Sequence, residues 1–261
     1  TKIGDYIFRI CFIDPFQGEA MAQFSMKSLS AKRAAILLDT KQDYSIGLAD
    51  AFRKTFKANG GEIVSEQAYS SGDKDFRAAL TSIRSSNPDV IFIPGYYSEL
   101  SLIVRQAREL GINVPLLGGD GWDSEELTKG AEAEFNNTYF SNHFSAEDPD
   151  PAVQNFITKY KAKYNANPDA MSALGYDAAL ILADAIKRAG ATDGQKLRDA
   201  IAGTKDFSGI TGKITINGER NAEKPLTILQ IVDGKFKFAQ RIGAHGEPLT
   251  EFKPAATAPP G

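Results

Sequence analysis

The chain has 261 residues, of which 42% are hydrophobic and 24% charged, and its formal net charge is −3. This is the composition of an ordinary globular protein with a sizeable core. Lys and Arg form no dense basic cluster, so we expect no nucleic-acid partner. No apolar run reaches the roughly 18 residues of a membrane span. The one cysteine, Cys11, excludes an internal disulfide and a cysteine-based zinc site.

The first half of the chain alternates apolar strands with amphipathic helices. Strands alternating with helices of this length predict βαβ units, a parallel sheet and a doubly wound α/β fold. The predicted strands are 34–39, 62–70, 89–96 and 114–120, and the helices that follow them are 48–60, 75–86, 98–110 and 124–130.

The second half is mainly helical. A strand at 137–144 precedes the helices 150–165, 169–190 and 193–204, and the residues 209–216 and 224–242 are predicted as strands. Asp150 is the expected N-cap of the first of these helices, with Pro151 at its first position. Asp233 and Gly234 favour a hairpin turn. The residues 251–261 lack apolar periodicity and are predicted to be a disordered tail.

Polar and aromatic residues follow the predicted parallel strands. Tyr44 follows the first strand, Tyr96 and Tyr97 follow the third, and Asp120 and Trp122 follow the fourth. In an open α/β sheet the ligand crevice lies beyond the carboxyl ends of the strands. One of the two adjacent tyrosines should face a ligand while the other packs below it. Aromatic rings beside an acid suit a small cationic or zwitterionic molecule.

Each of these residues also has a structural interpretation. Tyr44 could pack at the start of its helix, and Trp122 could be a core anchor. Asp120 with Gly121 is a common turn dipeptide. Glu99 suits the first turn of a helix, where its charge meets the helix dipole, and this is the favoured interpretation.

Sequence motifs of catalysis are absent from the chain. It has no phosphate-binding loop, no dinucleotide fingerprint, no nucleophile elbow and no zinc-protease motif. The segment beginning at Asp39 lacks the closing acid of a calcium loop. We therefore expect neither an enzyme nor a bound metal or cofactor.

Seven segments occur in an order typical of a known family. They are YIFRICFIDPFQGEAMAQF, DTKQDYSIGLADAF, GDKDFRAAL, NPDVIFIPGYYSE, RQARELGI, LLGGDGW and ALGYDAA. Together they resemble the type I periplasmic binding proteins of bacterial ABC importers, and most closely the leucine/isoleucine/valine-binding group. The resemblance runs from about Asp5 to about Arg241.

This resemblance implies two α/β lobes joined by three crossover segments, with an amino acid held between them. Tyr44 matches one ligand-facing tyrosine, and Tyr96, favoured over Tyr97, matches a second. Asp120 matches the acid that pairs with the α-ammonium group of the ligand.

The first crossover also matches, and it carries Asp14 and Gln17, which we expect near the mouth of the cleft. In the family a full βα series of the first lobe precedes this crossover, including loops that hold the α-carboxylate of the ligand. Here only TKIGDYI precedes it, so we expect an incomplete, mainly helical second lobe. The expected divisions are a hinge strand at 1–16, a complete lobe at 17–136 with 224–250, a remnant lobe at 137–223 and the tail.

The predicted function is that of an extracytoplasmic solute-binding component of an ABC importer, truncated and impaired. Its partners would be a branched-chain or related aliphatic amino acid and a membrane permease. As the mature chain, without a signal peptide, it would be periplasmic or otherwise extracytoplasmic. The alternative is a regulatory or sensor domain of the same fold that acts through a partner protein. The helix at 169–190 is apolar around most of its circumference, which predicts a homodimer that covers the incomplete lobe.

Overall fold

The computed structural model describes residues 1–255. The chain divides into two compact units. The smaller unit comprises residues 1–13, 143–227 and 242–247, and the larger comprises 14–142, 228–241 and the described part of 248–261. The chain therefore passes from one unit to the other near residues 13, 142, 227, 241 and 247, whereas the sequence divides the chain near residues 16, 136, 223 and 250.

The larger unit is built on a seven-stranded sheet. Its strands are β1 (Arg33–Asp39), β2 (Glu62–Tyr69), β3 (Val90–Phe92), β4 (Leu116–Gly118), β5 (Thr138–Asn142), β9 (Leu226–Val232) and β10 (Lys235–Ile242). Their order in the sheet is β10-β9-β5-β4-β3-β1-β2, and the pairs β1–β2, β1–β3, β3–β4 and β4–β5 are parallel. The direction of winding reverses between β1 and β3.

Four α-helices and one 3-10 helix belong to the described part of the larger unit. They are α1 (Asp14–Lys27), α2 (Asp43–Ala58), α3 (Arg77–Ser85), α4 (Tyr97–Glu109) and a 3-10 helix at Asp120–Trp122. The rings of Phe52 in α2 and Phe92 in β3 stack with their centroids 4.3 Å apart. Helix and sheet thus bury their apolar faces against each other, and this burial is the main source of the stability of the unit.

Two segments of the larger unit differ from the sequence prediction. Residues 14–16 begin helix α1 rather than a hinge strand, and Asp14 lies in the first turn, where a negative charge is favourable. Residues 125–130 of the predicted helix 124–130 form successive turns instead. A seven-residue segment gains few hydrogen bonds for the cost of helix nucleation, and Gly130 has a left-handed φ of 69°.

The end of the described chain also packs on the larger unit. Asp233 and Gly234 form the predicted turn between β9 and β10, with φ angles of 48° and 75°. Phe252 makes edge contacts with Phe24 and Tyr139. Residues 251–255 of the predicted tail therefore reach the unit through the partly buried ring of this phenylalanine. The rest of that tail, 256–261, lies outside the described residues.

The smaller unit combines helices with a small antiparallel sheet. Its elements are α5 (Pro151–Tyr164), α6 (Ala170–Ala189), α7 (Gly194–Ala202), β6 (Phe207–Gly209), β7 (Gly212–Ile216) and β8 (Ala222–Glu223). The three strands have the order β6-β7-β8, and the single strand predicted at 209–216 is instead β6 and β7 joined by a turn. Asp150 accepts a hydrogen bond from the Ala152 amide and caps α5 as predicted.

Helix α6 has apolar side chains on its exposed side as well as its buried side. Ala173, Leu174 and Ile181 are buried in the unit. The exposed large apolar side chains of α6 are Met171, Tyr176, Leu180 and Leu182. The helix is thus apolar around most of its circumference, as its sequence predicts.

Candidate functional site

The candidate site lies at the carboxyl edge of the sheet in the larger unit. The strands β4, β3 and β1 are neighbours there, next to the point where the winding direction reverses. Tyr44 lies in the first turn of the helix that follows β1, Tyr96 immediately precedes the helix that follows β3, and Asp120 follows β4. Because the carboxyl ends of parallel strands lie at the same edge of a sheet, these three residues lie close together.

Tyr44 joins the two other site residues. Its hydroxyl donates a hydrogen bond of 2.9 Å to Asp120 Oδ1 and accepts one of 3.0 Å from the Gly121 amide. The rings of Tyr44 and Tyr96 stack, with centroids 4.9 Å apart and planes 26° from parallel. The result is an aromatic pair with a carboxylate at its edge, which suits a cationic group.

Gln17 holds Asp120 from the other side. Its Nε2 donates to Asp120 Oδ1 at 3.0 Å, and its Oε1 accepts from the Asp120 amide at 3.0 Å. The Ser141 hydroxyl donates to the same Oε1 at 2.8 Å. Gln17 is only 1% exposed, so the structure places it beneath the carboxylate rather than at the mouth of a cleft.

Two glycines flank Asp120 and allow this close packing. A Cβ on Gly119 would lie 2.5 Å from Tyr44 Oη, and one on Gly121 would lie 2.8 Å from the carbonyl oxygen of Gly95. Both distances are shorter than normal contacts, so a side chain at either position would displace the tyrosine or the loop. The sequence GGDG is thus explained by packing around the acid.

The carboxylates of Asp120 and Asp14 act electrostatically on the two tyrosines. Burial, followed by the charge of Asp120, raises the pKa of the Tyr44 hydroxyl well above its usual value. Burial and the charges of Asp120 and Asp14 raise the pKa of Tyr96 in the same direction. Asp14 therefore belongs to the electrostatic environment of the site, which favours a cation.

The adjacent tyrosines do not divide into one exposed and one core residue. Tyr96 is 38% and Tyr97 46% exposed. The prediction that one packs below the other is wrong, because β3 ends at Phe92 and α4 begins at Tyr97. Neither tyrosine lies on the strand, so the alternation of a strand does not apply to them. Tyr96 stacks on Tyr44, which favours it as the residue of the site.

Trp122 lies in the core and not at the surface of the site. It is fully buried, and its Nε1 donates to the carbonyl oxygen of Ile93 at 3.1 Å. This supports its interpretation as a core anchor. Glu99 lies in the first turn of α4, as favoured, and accepts a hydrogen bond from the Gly72 amide.

Sequence reasoning missed Ser141. The only signal was a small polar residue within the aromatic strand NTYFSNHF. Its partner Gln17 lies 124 positions away in the sequence, so no local pattern connects them. Within residues 1–255 no group of three or more metal-ligating side chains could hold a metal ion. No helix in the same range is long and apolar enough to cross a membrane.

Known proteins that are similar to this chain include a curated relative. A Leu/Ile/Val-binding protein of Rhizobium johnstonii, BraC3, is 34% identical over 218 residues, which cover 82% of this chain and 58% of the relative. The chain thus spans less than two thirds of the length of that relative.

Two solved structures are also similar. The leucine-binding protein LivK of Thermotoga maritima is 41% identical with a TM-score of 0.84, covering 92% of this chain and 68% of that chain. LivJ of Streptococcus pneumoniae, solved with isoleucine, is 36% identical with a TM-score of 0.81, covering 90% of this chain and 67% of that chain. They confirm the predicted α/β fold class with its mainly parallel sheet.

A model of a whole protein family also matches this chain. Residues 2–235 match the family model described as periplasmic binding protein. The resemblance found in the seven sequence segments is thereby confirmed, and this chain belongs to the periplasmic binding protein family.

Proposed function

We propose that this chain is a solute-binding component of an ABC importer and that it binds the α-ammonium group of an aliphatic amino acid at Asp120. The observation that carries the proposal is the contact of the Asp120 carboxylate with the hydroxyl of Tyr44, whose ring stacks on Tyr96. An ammonium group placed there gains a charge-assisted hydrogen bond and the aromatic faces.

The names of the relatives support the class of ligand. The Rhizobium relative is a Leu/Ile/Val-binding protein, and the Streptococcus structure contains isoleucine. A branched-chain amino acid is therefore the first ligand to test. On this proposal the chain acts outside the cytoplasm and delivers its ligand to a membrane permease.

Titration calorimetry with L-leucine, L-isoleucine and L-valine tests the proposal. The matched control ligand is 4-methylpentanoate, which keeps the carbon skeleton and carboxylate of leucine but lacks the ammonium group. We expect saturable binding of the amino acids, and binding of the control that is at least about tenfold weaker, since a hydrogen bond to a charged group contributes about 1.5–3 kcal/mol. Equal binding of leucine and 4-methylpentanoate would contradict the role of Asp120. Absence of binding for all three amino acids would contradict the proposed ligand class.

A further inference from the structure

The side-chain amide of Gln17 makes two different contacts with one residue. Its Oε1 accepts from the main-chain amide of Asp120, and its Nε2 donates to the carboxylate of the same residue. A main-chain N–H can only donate and an ionised carboxylate can only accept, so the amide has one orientation that satisfies both. Ser141 donates to Oε1 and stabilises that orientation.

Glutamate, methionine and leucine, which are similar in size to glutamine, cannot make both of these contacts. Glutamate would place an acceptor against the carboxylate oxygen, and methionine or leucine would leave both groups of Asp120 without these contacts. Gln17 is 1% and Ser141 0% exposed, so water does not readily replace them. An amide at this position therefore fixes the main chain and the side chain of Asp120 together.

We infer that Gln17, oriented by Ser141, is the positioning residue that holds the Asp120 carboxylate against the Tyr44 hydroxyl before a ligand arrives. The inference rests on the proposed function in so far as Asp120 is the group that receives the ammonium. A carboxylate that is already fixed loses less side-chain freedom when it binds, and preorganisation of this kind increases affinity. Gln17 thus acts through Asp120 and does not itself need to contact the ligand.

The test is a double-mutant cycle measured by calorimetry with L-leucine, L-isoleucine or L-valine. Gln17→Met keeps the length of the side chain but removes both hydrogen bonds. We expect it to weaken binding roughly tenfold in the unaltered chain, and less than about twofold when Asp120→Asn is already present. The control is Gln23→Met in the same helix, whose amide oxygen only accepts from Lys27 at the surface, and it should leave affinity unchanged. An equal loss in both backgrounds, or no loss in the unaltered chain, would overturn the inference.

A measurement without ligand separates this inference from the proposed function. In a crystal structure of ligand-free Gln17→Met we expect Asp120 Oδ1 to have moved out of hydrogen-bond distance of the Tyr44 hydroxyl. A carboxylate still 2.9 Å from that hydroxyl, as in the unaltered chain, would overturn the inference. Lack of amino-acid binding by the unaltered chain would overturn only the proposed function.

Ser141→Ala provides a second variant if Gln17→Met does not fold. It removes one of the contacts that orient the amide and leaves Gln17 in place. We expect about threefold weaker binding and no further loss in the Asp120→Asn background. Unchanged affinity in Ser141→Ala would show that the amide needs no orienting contact and would overturn that part of the inference.

Discussion

Asp120 Oδ1 accepts hydrogen bonds from two protein donors, the Tyr44 hydroxyl and the Gln17 amide. A carboxylate offers about four lone-pair sites, so two protein donors and an ammonium group can share it. Hydrogen bonds to an ionised group are stronger than neutral ones, so under the proposed function the charge of Asp120 is the main contribution of this residue to affinity.

Replacement of Asp120 by asparagine tests the importance of this charge. We expect Asp120→Asn to weaken amino-acid binding by about 2–5 kcal/mol, because the ammonium group would be desolvated without a counter-charge. Calorimetry measures the affinity, and the melting temperature shows whether the variant remains folded. Undiminished affinity would show that Asp120 is only a turn residue, the structural alternative for this dipeptide.

Substitutions at Tyr96 and Trp122 should separate ligand contact from core packing. We expect Tyr96→Ala to weaken binding with less than about 1.5 kcal/mol of lost stability, since the side chain is 38% exposed. Trp122→Ala should reduce the free energy of unfolding by about 3–5 kcal/mol, because it leaves a cavity in the core. Urea denaturation and calorimetry report the two effects. Tyr97→Ala is the control for Tyr96→Ala, and a larger loss of binding in Tyr97→Ala would assign the ligand-facing role to Tyr97.

The raised pKa of Tyr44 makes stability depend on pH in the alkaline range. Below pH 10, the usual pKa of tyrosine, the hydroxyl is protonated in both the folded and the unfolded chain, and its contribution is complete. Above pH 10 the unfolded chain ionises first, so stability is lost as pH rises toward the folded pKa, by up to about 1.4 kcal/mol per pH unit.

Tyr44→Phe should therefore lose less stability than the unaltered chain between pH 9 and about pH 11. Urea denaturation at each pH measures the free energy of unfolding. The difference between the two proteins at pH 8 gives the effect of the lost hydroxyl contacts, and the signal is the change in that difference above pH 10. Parallel curves throughout the range would contradict the prediction.

Arg108, in the last turn of α4, connects several loops. Its guanidinium donates to the carbonyl oxygens of Ile112 and Val114 in the loop before β4, at 2.7 and 3.2 Å. It also donates to those of Glu134 and Asn136 in the loop before β5, at 3.0 and 2.9 Å. Burial lowers the pKa of this guanidinium to about 10, so it remains charged at neutral pH. One side chain thus holds the two loops that lead into the neighbouring strands β4 and β5.

Loss of this guanidinium should destabilise the larger unit. We expect Arg108→Met to reduce the free energy of unfolding by about 2–4 kcal/mol, because several carbonyl groups lose a charged donor. Arg105→Met is the matched control, since Arg105 donates from the same helix to the carbonyl of Gly130 at an exposed position, and its effect should be below about 1 kcal/mol. Equal urea midpoints for the two variants would contradict this role of Arg108.

The sequence predicts most elements but fewer of their ends. Apolar runs and N-caps such as Asp150 identify strands and helices because these signals are local. The strands β3 and β4 are shorter than predicted, since Pro94 and Pro115 cannot donate ladder hydrogen bonds. Tyr44 and Asp120 could be predicted from their places after strands, because strand ends share an edge. Ser141 and the buried position of Gln17 depend on contacts between distant segments, which no local pattern contains.

The smaller unit has exposed apolar side chains on two of its helices. They are Tyr164 at the end of α5 and Met171, Tyr176, Leu180 and Leu182 on α6. Pairing with a second copy of the chain would remove such side chains from water. The homodimer expected from the sequence stays a prediction, and it depends on these residues.

Light scattering coupled to gel filtration tests the homodimer. At micromolar concentration we expect a mass of twice the 28.3 kDa of the chain, because pairing would remove the exposed apolar side chains from water. Leu182→Lys should return the protein to the mass of one chain, whereas Lys187→Ala in the same helix should not. A mass of one chain for the unaltered protein, with α6 protected from hydrogen exchange, would contradict the dimer.

The order of strands in the larger sheet also makes completion of the sheet depend on a segment far along the chain. Strand β5 lies between β4 and β9, but residues 143–225 separate it from β9 in the sequence. Until β9 joins the sheet, β5, which is fully buried in the complete fold, is an open sheet edge that can pair with other chains. Folding of the larger unit therefore has an aggregation-prone stage that ends only when β9 is in place.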